Sequence, residues 1–194
     1  MRIFGLILAG GAGRRMGGVD KALLPFGPGT LLSNAVTRFE PQVESLAISA
    51  NGDPSRFDGF RLPVLADADR GGAGPMAGLL AGLIWAKAAG ASHLATMAVD
   101  TPFIPGDLVA LLMLAGDGGP AIAESAGRAH PTVGLWPVSL NMSLEAALGS
   151  AERRLGFWAE SVGAVRATFA ATEPDPFMNA NTVEELAAAA RYLG

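Results

Sequence analysis

Cysteine is absent from this sequence of 194 residues, and lysine and histidine each occur only twice. Without cysteine there are no disulfide bonds, no thiolate metal sites and no cysteine nucleophile, a composition that fits a reducing cytoplasm. No run of about 18 consecutive apolar residues occurs, so the hydropathy pattern contains no membrane-spanning helix. We therefore expect a cytoplasmic protein that is not embedded in a membrane.

The amino-terminal segment is basic, although the chain as a whole is acidic. The formal net charge is −4, which argues against an extended nucleic-acid surface. The first 21 residues nevertheless hold four cations, Arg2, Arg14, Arg15 and Lys21, against the single acid Asp20. A small anionic ligand fits this pattern better than a polymer, and the scarcity of lysine makes Lys21 a candidate for binding it.

Apolar patterning alternates between strands and helices along the chain. Short apolar runs predict strands over residues 3–8, 46–50, 62–65, 94–99, 121–124, 132–137 and 165–169. Helical spacing predicts helices over 31–39, 75–89, 105–114, 139–148 and 154–160, and a last one from Thr182 to near Tyr192. This alternation predicts an α/β fold with one core, built on a mostly parallel sheet with helices on both faces.

Two of these helices have distinctive sequence signals. Thr182 and Glu185 have the spacing of a capping box, which marks the start of the last helix. The helix over 75–89 has the clearest apolar face, because helical spacing places five large side chains together: Met76, Leu79, Leu80, Leu83 and Ile84.

Several predicted strands end at a glycine or a polar residue. Gly10, Asn51, Asp67 and Asp100 each follow such a strand. Ligands of parallel sheets bind at the carboxyl ends of the strands. We therefore expect a single site that is assembled from distant parts of the chain.

The first strand leads into a glycine-rich loop, Leu8-Ala-Gly-Gly-Ala-Gly-Arg-Arg-Met-Gly-Gly-Val-Asp-Lys21. Such a loop can aim successive backbone amides at phosphate oxygens, because glycine accepts positive φ and lets the ligand come close. The Walker pattern is absent, and the run that starts at Gly11 lacks the third glycine of the dinucleotide fingerprint. The loop therefore predicts phosphate binding of another kind.

Asp100 is the candidate metal ligand. A carboxylate at a strand end can hold Mg²⁺, which completes its shell with phosphate oxygens and water; capping of the next turn is the alternative interpretation. Asn51 precedes Gly52 and by itself fits an ordinary Asn-Gly turn as well as a ligand contact. Asp67 and its neighbour Asp69 are both candidates after the strand at 62–65.

Four motifs together resemble those of a known enzyme family. They are L-A-G-G-x-G-R-R-M-G-G-x-D-K at 8–21, G-P-M-x-G at 74–78, D-T-P-F-I-P at 100–105 and N-x-N-T at 179–182. In these the chain resembles the molybdenum cofactor guanylyltransferases, a MobA-like group of nucleotidyltransferases, from residue 5 to about residue 187. The resemblance implies a single-domain, Rossmann-like nucleotidyltransferase fold over residues 1–194. It also implies transfer of GMP from GTP to the phosphate of molybdopterin, with Mg²⁺ as cofactor.

The resemblance implies roles for individual residues. The nucleotide would be contacted by Leu8, Ala9, Gly10, Gly11, Lys21, Asn51, Asp67 and Asp100. Asn51 would face the guanine base, to which its amide can offer a donor and an acceptor, and Asp67 is preferred to Asp69 by its position relative to Gly74. The catalytic residues would be Arg15, which wraps the triphosphate, Lys21, which neutralises its charge, and Asp100, which holds the metal. The molybdopterin side would be formed by Gly74, Gly78, Asn179, Asn181 and Arg154. His130 and Arg153 also lie in family-like elements, and for them substrate contact and a structural role stay open.

The chemistry implied by the resemblance needs no general base, because a phosphate monoester is already largely ionised at neutral pH. The site must instead supply cations and positioned donors. A related transferase that uses CTP on molybdopterin, or another nucleotide on a sugar or alcohol phosphate, would share the loop, Lys21 and Asp100. A non-catalytic module that binds GTP or holds molybdopterin would need the loop but not Asp100. Candidate protein partners are a molybdopterin-delivering protein and a recipient molybdoenzyme.

Overall fold

The computed structural model describes residues 1–10, 20–67, 74–149 and 154–193. The strands in these segments are β1 (Ile3–Leu8), β2 (Pro25–Phe26), β3 (Gly29–Thr30), β4 (Ser45–Ser49), β5 (Val64–Leu65), β6 (His93–Ala98), β7 (Ala121–Ser125), β8 (Arg128–Pro137) and β9 (Val165–Phe169). The α-helices are α1 (Leu31–Phe39), α2 (Pro75–Ala88), α3 (Leu108–Gly116), α4 (Asn141–Leu148), α5 (Leu155–Ser161) and α6 (Val183–Ala190).

A seven-stranded sheet with the order β5-β4-β1-β6-β8-β7-β9 runs through the described segments, and β2 pairs with β3 in a separate hairpin. Strand β1 is parallel to β4 and β6, β4 is parallel to β5, and β7 is parallel to β9. Strand β8 is antiparallel to both of its neighbours, β6 and β7. The predicted mostly parallel sheet is confirmed, and β8 is its single reversal within the described residues.

Helices cover both faces of the sheet, as predicted, because successive strand residues point to opposite sides. Leu6 and Ile7 of β1 illustrate the alternation, since they belong to different cores. The core that contains Ile7 also holds side chains of α1, α3 and α6, such as Leu32, Leu112 and Leu186. The core that contains Leu6 holds side chains of α2, α4 and α5, such as Leu79, Leu144 and Trp158.

Helix α2 is present where it was predicted, but its orientation differs in one respect. Four of the five predicted core residues are buried, whereas Ile84 is 47% exposed. The reason is a close approach of α2 to the sheet: a Cβ added at Gly82 would lie 2.6 Å from Cδ2 of Leu6. Small residues therefore define the face of α2 that meets the sheet, and Ile84 is turned away from it.

The two largest boundary differences, at α3 and β8, come from tertiary contacts. Helix α3 begins at Leu108, after a turn, and not at residue 105. The side chain of Gln42 determines this start, since its Nε2 donates to the carbonyl of Pro105 (2.9 Å) and its Oε1 accepts from the N–H of Val109 (3.1 Å). Strand β8 begins at residue 128 and not at 132, and its pairing with β7 has a register irregularity between Ile122 and Ala123.

The capping box of α6 is confirmed. The Thr182 hydroxyl accepts from the N–H of Glu185 (3.1 Å), and the Glu185 carboxylate accepts from the N–H of Thr182 (3.2 Å). Helix α6 ends at Ala190 and a 3-10 turn continues to Leu193. In the segments that the structure describes, no helix is both long and apolar enough to cross a membrane.

Candidate functional site

The register of the parallel strands brings the predicted site residues into one row. Leu8 of β1 pairs with Ser49 of β4 and with Ala98 of β6, and Ser49 pairs in turn with Leu65 of β5. These four residues therefore lie side by side across the sheet. Backbone hydrogen bonds continue the strand pairing past the strand ends, as from the N–H of Val99 to the carbonyl of Leu8 (3.1 Å).

Each of these four strand residues is followed, two positions later in the chain, by a predicted site residue. In sheet order these are Asp67 after β5, Asn51 after β4, Gly10 after β1 and Asp100 after β6. With strands about 4.8 Å apart, the row from the first to the last is roughly 14 Å long. The structure thus brings these four residues from distant parts of the chain together at the carboxyl edge of the sheet, and their use as one ligand site stays a prediction.

Asn51 and Asp67 form a pair at one end of this row. The Asn51 Nδ2 donates to Oδ2 of Asp67 (2.6 Å), and the backbone N–H of Asp67 donates to Oδ1 of Asn51 (2.9 Å). Two hydrogen bonds hold the amide and the carboxylate in a fixed relative orientation, on an edge that is open to solvent. Such a pair presents both donor and acceptor positions to a ligand.

Lys21 and Asp100 form a second group at the other end. The Lys21 ammonium donates to Oδ2 of Asp100 and to Oδ1 of Asn181, at 2.8 Å in each case. The side chains of Lys21 and Asp100 are 19% and 22% exposed, so both can reach a ligand. Residues 21, 100 and 181 are far apart in the sequence, and the structure joins them through a single ammonium group.

The N-x-N-T segment lies against Asp100. The N–H of Ala180 donates to the Asp100 carbonyl (3.0 Å), and the buried Phe177 anchors the segment by packing on Phe169 with ring centroids 5.0 Å apart. Asn179 and Asn181 are exposed beside it. The structure therefore brings Asn181 next to Lys21 and Asp100, and its contact with an acceptor stays a prediction.

The other predicted acceptor residues lie in different surroundings. Gly74 is exposed at the start of α2 with φ +62°, a conformation that favours glycine. Gly78 is buried, and an added Cβ there would lie 2.3 Å from Oγ of Ser49. Close packing is therefore one explanation for glycine at 78. Arg154 precedes α5 with its guanidinium 3.8 Å from the Phe157 ring centroid. Contact of these residues with an acceptor stays a prediction.

Three of the residues that were predicted to contact the nucleotide, Leu8, Ala9 and Gly10, lie at the carboxyl end of β1 or just after it. The Leu8 side chain is buried in the core, and the Ala9 N–H donates to the Ser49 carbonyl (2.9 Å). Gly10 is exposed at the end of β1. Gly11 and Arg15, like Arg153 and the alternative Asp69, lie outside the described residues.

Two polar groups near the site were missed by the sequence analysis. One is Arg56, which bonds to Asp20 and to the loop of Asn51. The other is the pair Ser125 and Asp175, which forms a network with His130 beneath the N-x-N-T segment: Ser125 Oγ donates to Oδ1 of Asp175 (2.9 Å) and lies 3.0 Å from Nε2 of His130. Neither has a sequence signal, because each depends on contacts between segments that only folding brings together.

His130 belongs to this part-buried network and not to the row of site residues. Burial lowers the pKa of His130 below its ordinary value, against the opposing effect of the Asp175 carboxylate. Since the Asp175 carboxylate also accepts from the Phe177 N–H (2.8 Å), the network supports the segment that carries Asn179 and Asn181. A structural role for His130 is therefore the better interpretation.

The donor set can be tested against a metal ion. Over the described segments, no group of three or more histidine, aspartate and glutamate side chains is placed to hold one. Mg²⁺, however, needs only one or two protein carboxylates when phosphate oxygens and water complete its shell. Asp100, a partly exposed carboxylate at a strand end, fits that requirement.

Solved structures with the same fold define the class to which this architecture belongs. A molybdopterin-guanine dinucleotide biosynthesis protein A from Archaeoglobus fulgidus superposes with a TM-score of 0.77 at 19% identity, covering 98% of each chain. A 2-C-methyl-D-erythritol 4-phosphate cytidylyltransferase from Thermus thermophilus gives a TM-score of 0.69 at 18% identity, with 100% of this chain and 99% of the other covered. The fold is that of the nucleotidyltransferases.

Sequence comparison identifies the family within this class. The MobA-like NTP transferase domain matches residues 5–165, and the chain belongs to this family. A molybdenum cofactor guanylyltransferase from Cereibacter sphaeroides is 54% identical over 193 residues, which cover 100% of this chain and 98% of the relative. One from Rhodobacter capsulatus is 52% identical over 190 residues, covering 97% and 95%.

Proposed function

We propose that this chain transfers GMP from GTP to the phosphate of molybdopterin and releases pyrophosphate, with Mg²⁺ as cofactor. The observation that carries the proposal is the row of strand ends, which places a hydrogen-bonding pair at one end and a carboxylate with an ammonium at the other. Relatives that are about half identical over the full length are molybdenum cofactor guanylyltransferases, and this supports the choice of substrates.

The row suits a nucleotide that lies across the strand ends. A base at Asn51 and Asp67 would leave the phosphates near Gly10 and Asp100, since the row of roughly 14 Å is comparable in length to an extended nucleoside triphosphate. Guanine has N–H donors at N1 and at its 2-amino group, and carboxylate oxygens are acceptors for both. The two existing hydrogen bonds between Asn51 and Asp67 orient the pair before any ligand arrives.

At the phosphate end the main obstacle is charge. The molybdopterin phosphate attacks the α-phosphorus of GTP and pyrophosphate leaves, so two polyanions must approach each other. Lys21 places its ammonium at this point, and Arg15 together with the amides of the glycine-rich loop is proposed to bind the triphosphate. Mg²⁺, when held by Asp100, supplies further positive charge. The acceptor would lie beyond Asp100, toward Asn179, Asn181 and Arg154, with Gly74 and Gly78 on the same side.

Location and protein partners belong to the same proposal. We place the reaction in the cytoplasm, with a molybdopterin-delivering protein or a recipient molybdoenzyme as candidate partners.

Pyrophosphate release by the purified protein with Mg²⁺ and molybdopterin tests the function, with GTP, CTP, ATP and UTP compared side by side. Release with GTP alone supports the proposal. Release with CTP would indicate a related cytidylyl transfer instead. The absence of pyrophosphate release with all four nucleotides would favour another acceptor or a binding role.

Two variants test the catalytic residues. We expect Lys21→Ala and Asp100→Ala to fold normally and to lower turnover at least about a hundredfold, as the loss of one strong electrostatic stabiliser does. Lys87→Ala is a matched control, because Lys87 is the other lysine of the chain and also donates to an asparagine, Oδ1 of Asn141 (2.9 Å). Near-normal turnover in either test variant would remove the role assigned to that residue.

A further inference from the structure

The guanidinium group of Arg56 joins two segments of the site. Its Nε donates to Oδ2 of Asp20 (2.6 Å), and its Nη2 donates to the backbone carbonyl of Asn51 (2.6 Å). Its Nη1 donates to the carbonyl of Asp53, and its Cζ lies 4.4 Å from the centroid of the Phe57 ring. Three donors and a stacking contact hold the group in one orientation.

Both ends of this connection lead to residues of the proposed site. Asp20 is the residue directly before Lys21, and its Oδ1 accepts from the N–H of Ala22 (3.0 Å), which defines the turn that contains Lys21. On the other side, Arg56 holds the main chain of Asn51. The connected groups therefore run from Lys21 through Asp20 and Arg56 to Asn51.

We propose that Arg56 is a positioning residue that determines nucleotide preference, by holding the base-recognising pair Asn51–Asp67 at a set distance from Lys21 and Asp100. This inference rests on the proposed function, in which that pair meets the base. Asn51 lies in an exposed loop after β4, next to Gly52 with φ +86°. An amide on such a loop discriminates between bases only if its main chain is held, and the Arg56 guanidinium binds the main-chain carbonyl of Asn51 itself.

The geometry of arginine is needed for this role. Only a guanidinium can donate in three directions within one plane, whereas a lysine ammonium would keep the charge but not the set of bonds. Hydrogen bonds from a charged donor are worth more than neutral ones. We therefore expect Arg56→Ala and Arg56→Lys each to raise the KM for the preferred triphosphate about tenfold, with a much smaller change in kcat. The preference for that triphosphate over ATP should fall by a similar factor, and millimolar ethylguanidinium should partly restore it in Arg56→Ala.

A matched control is present at the opposite end of the sheet. The Nε of Arg2 donates to Glu44 (2.9 Å), its Nη1 donates to the carbonyl of Ala89 (3.0 Å), and its Cζ lies 5.4 Å from the Phe4 ring centroid. The contacts are of the same kinds as those of Arg56, but far from the site. Arg2→Ala should leave both KM and base preference unchanged.

The experiment measures kcat and KM for pyrophosphate release with GTP, CTP and ATP in the unaltered chain, in Arg56→Ala, in Arg56→Lys and in Arg2→Ala. Loss of preference in both Arg56 variants, with rescue by ethylguanidinium, supports the positioning role. Unchanged preference in both variants would overturn it, whatever their stability. Preference is defined for the triphosphate that the unaltered chain uses best. If that triphosphate is CTP, the proposed function is refuted, but the comparison of the Arg56 variants with the unaltered chain still tests the role of Arg56.

Discussion

Gly78 on α2 lies where the helix meets the end of the sheet, and replacing it with alanine separates two explanations for this glycine. An added Cβ would lie 2.3 Å from Oγ and 3.3 Å from Cβ of Ser49, and 3.2 Å from Cδ2 of Leu8. Ser49 is only 1% exposed, so its side chain has little room to move away. If packing is the reason for glycine, Gly78→Ala should destabilise the fold.

The magnitude follows from two opposing effects. Overpacking of a well-packed interior costs about 1–3 kcal/mol. Alanine is favoured over glycine inside a helix by about 1 kcal/mol. Because the added Cβ would lie only 2.3 Å from Oγ of Ser49, the overpacking cost falls in the upper half of its range, about 2–3 kcal/mol. We therefore expect the free energy of unfolding of Gly78→Ala to fall by about 1–2 kcal/mol. Because the severe contact is with Oγ of Ser49, the double variant Ser49→Ala, Gly78→Ala should be more stable than the sum of the two single effects by about 1 kcal/mol or more.

Urea unfolding of the four proteins, read by circular dichroism, measures these differences. The KM for molybdopterin is determined on the same samples. An undiminished stability of Gly78→Ala, or a Ser49→Ala change that fails to suppress its effect, would refute the packing argument. A raised KM for molybdopterin without loss of stability would instead place Gly78 in the acceptor site.

Three further predictions concern the surroundings of the site. Burial lowers the pKa of His130 in the folded protein, so that as the pH falls the unfolded chain binds a proton at this residue first. The free energy of unfolding should therefore be constant above pH 7 and fall as the pH drops through about 6.5. Urea unfolding of His130→Gln should show a flatter pH dependence, and equal pH dependence in the variant and the unaltered chain would contradict this. Thr182→Ala should lower the free energy of unfolding, measured by thermal unfolding, by about 1 kcal/mol because the α6 cap is removed. Thr182→Ser should retain most of that stability, and an equal loss in both variants would argue against the cap. Lys21→Met should change the free energy of unfolding by no more than about 1 kcal/mol, since the ion pair with Asp100 is partly exposed, and a larger loss would show a structural role for the pair.

Local patterns predicted most of the elements correctly. Strands and helices were expected close to their observed positions because apolar periodicity depends only on which faces are buried. The largest misplacements were at α3 and β8. The start of α3 depends on Gln42, which is distant in the sequence, and the length of β8 depends on its pairing with β7. Such contacts leave no local pattern.

The sequence by itself determined the alternation of strands and helices, the residues at the strand ends and the family resemblance, because these depend on residue types and spacing along the chain. Tertiary structure alone decided the reversal at β8, the outward turn of Ile84 and the use of Gly78 for packing. It also decided the joining of Lys21 to both Asp100 and Asn181, and the connection that Arg56 makes between two loops. These features arise from register and from side-chain contacts over long sequence separations, which neither periodicity nor motif spacing encodes.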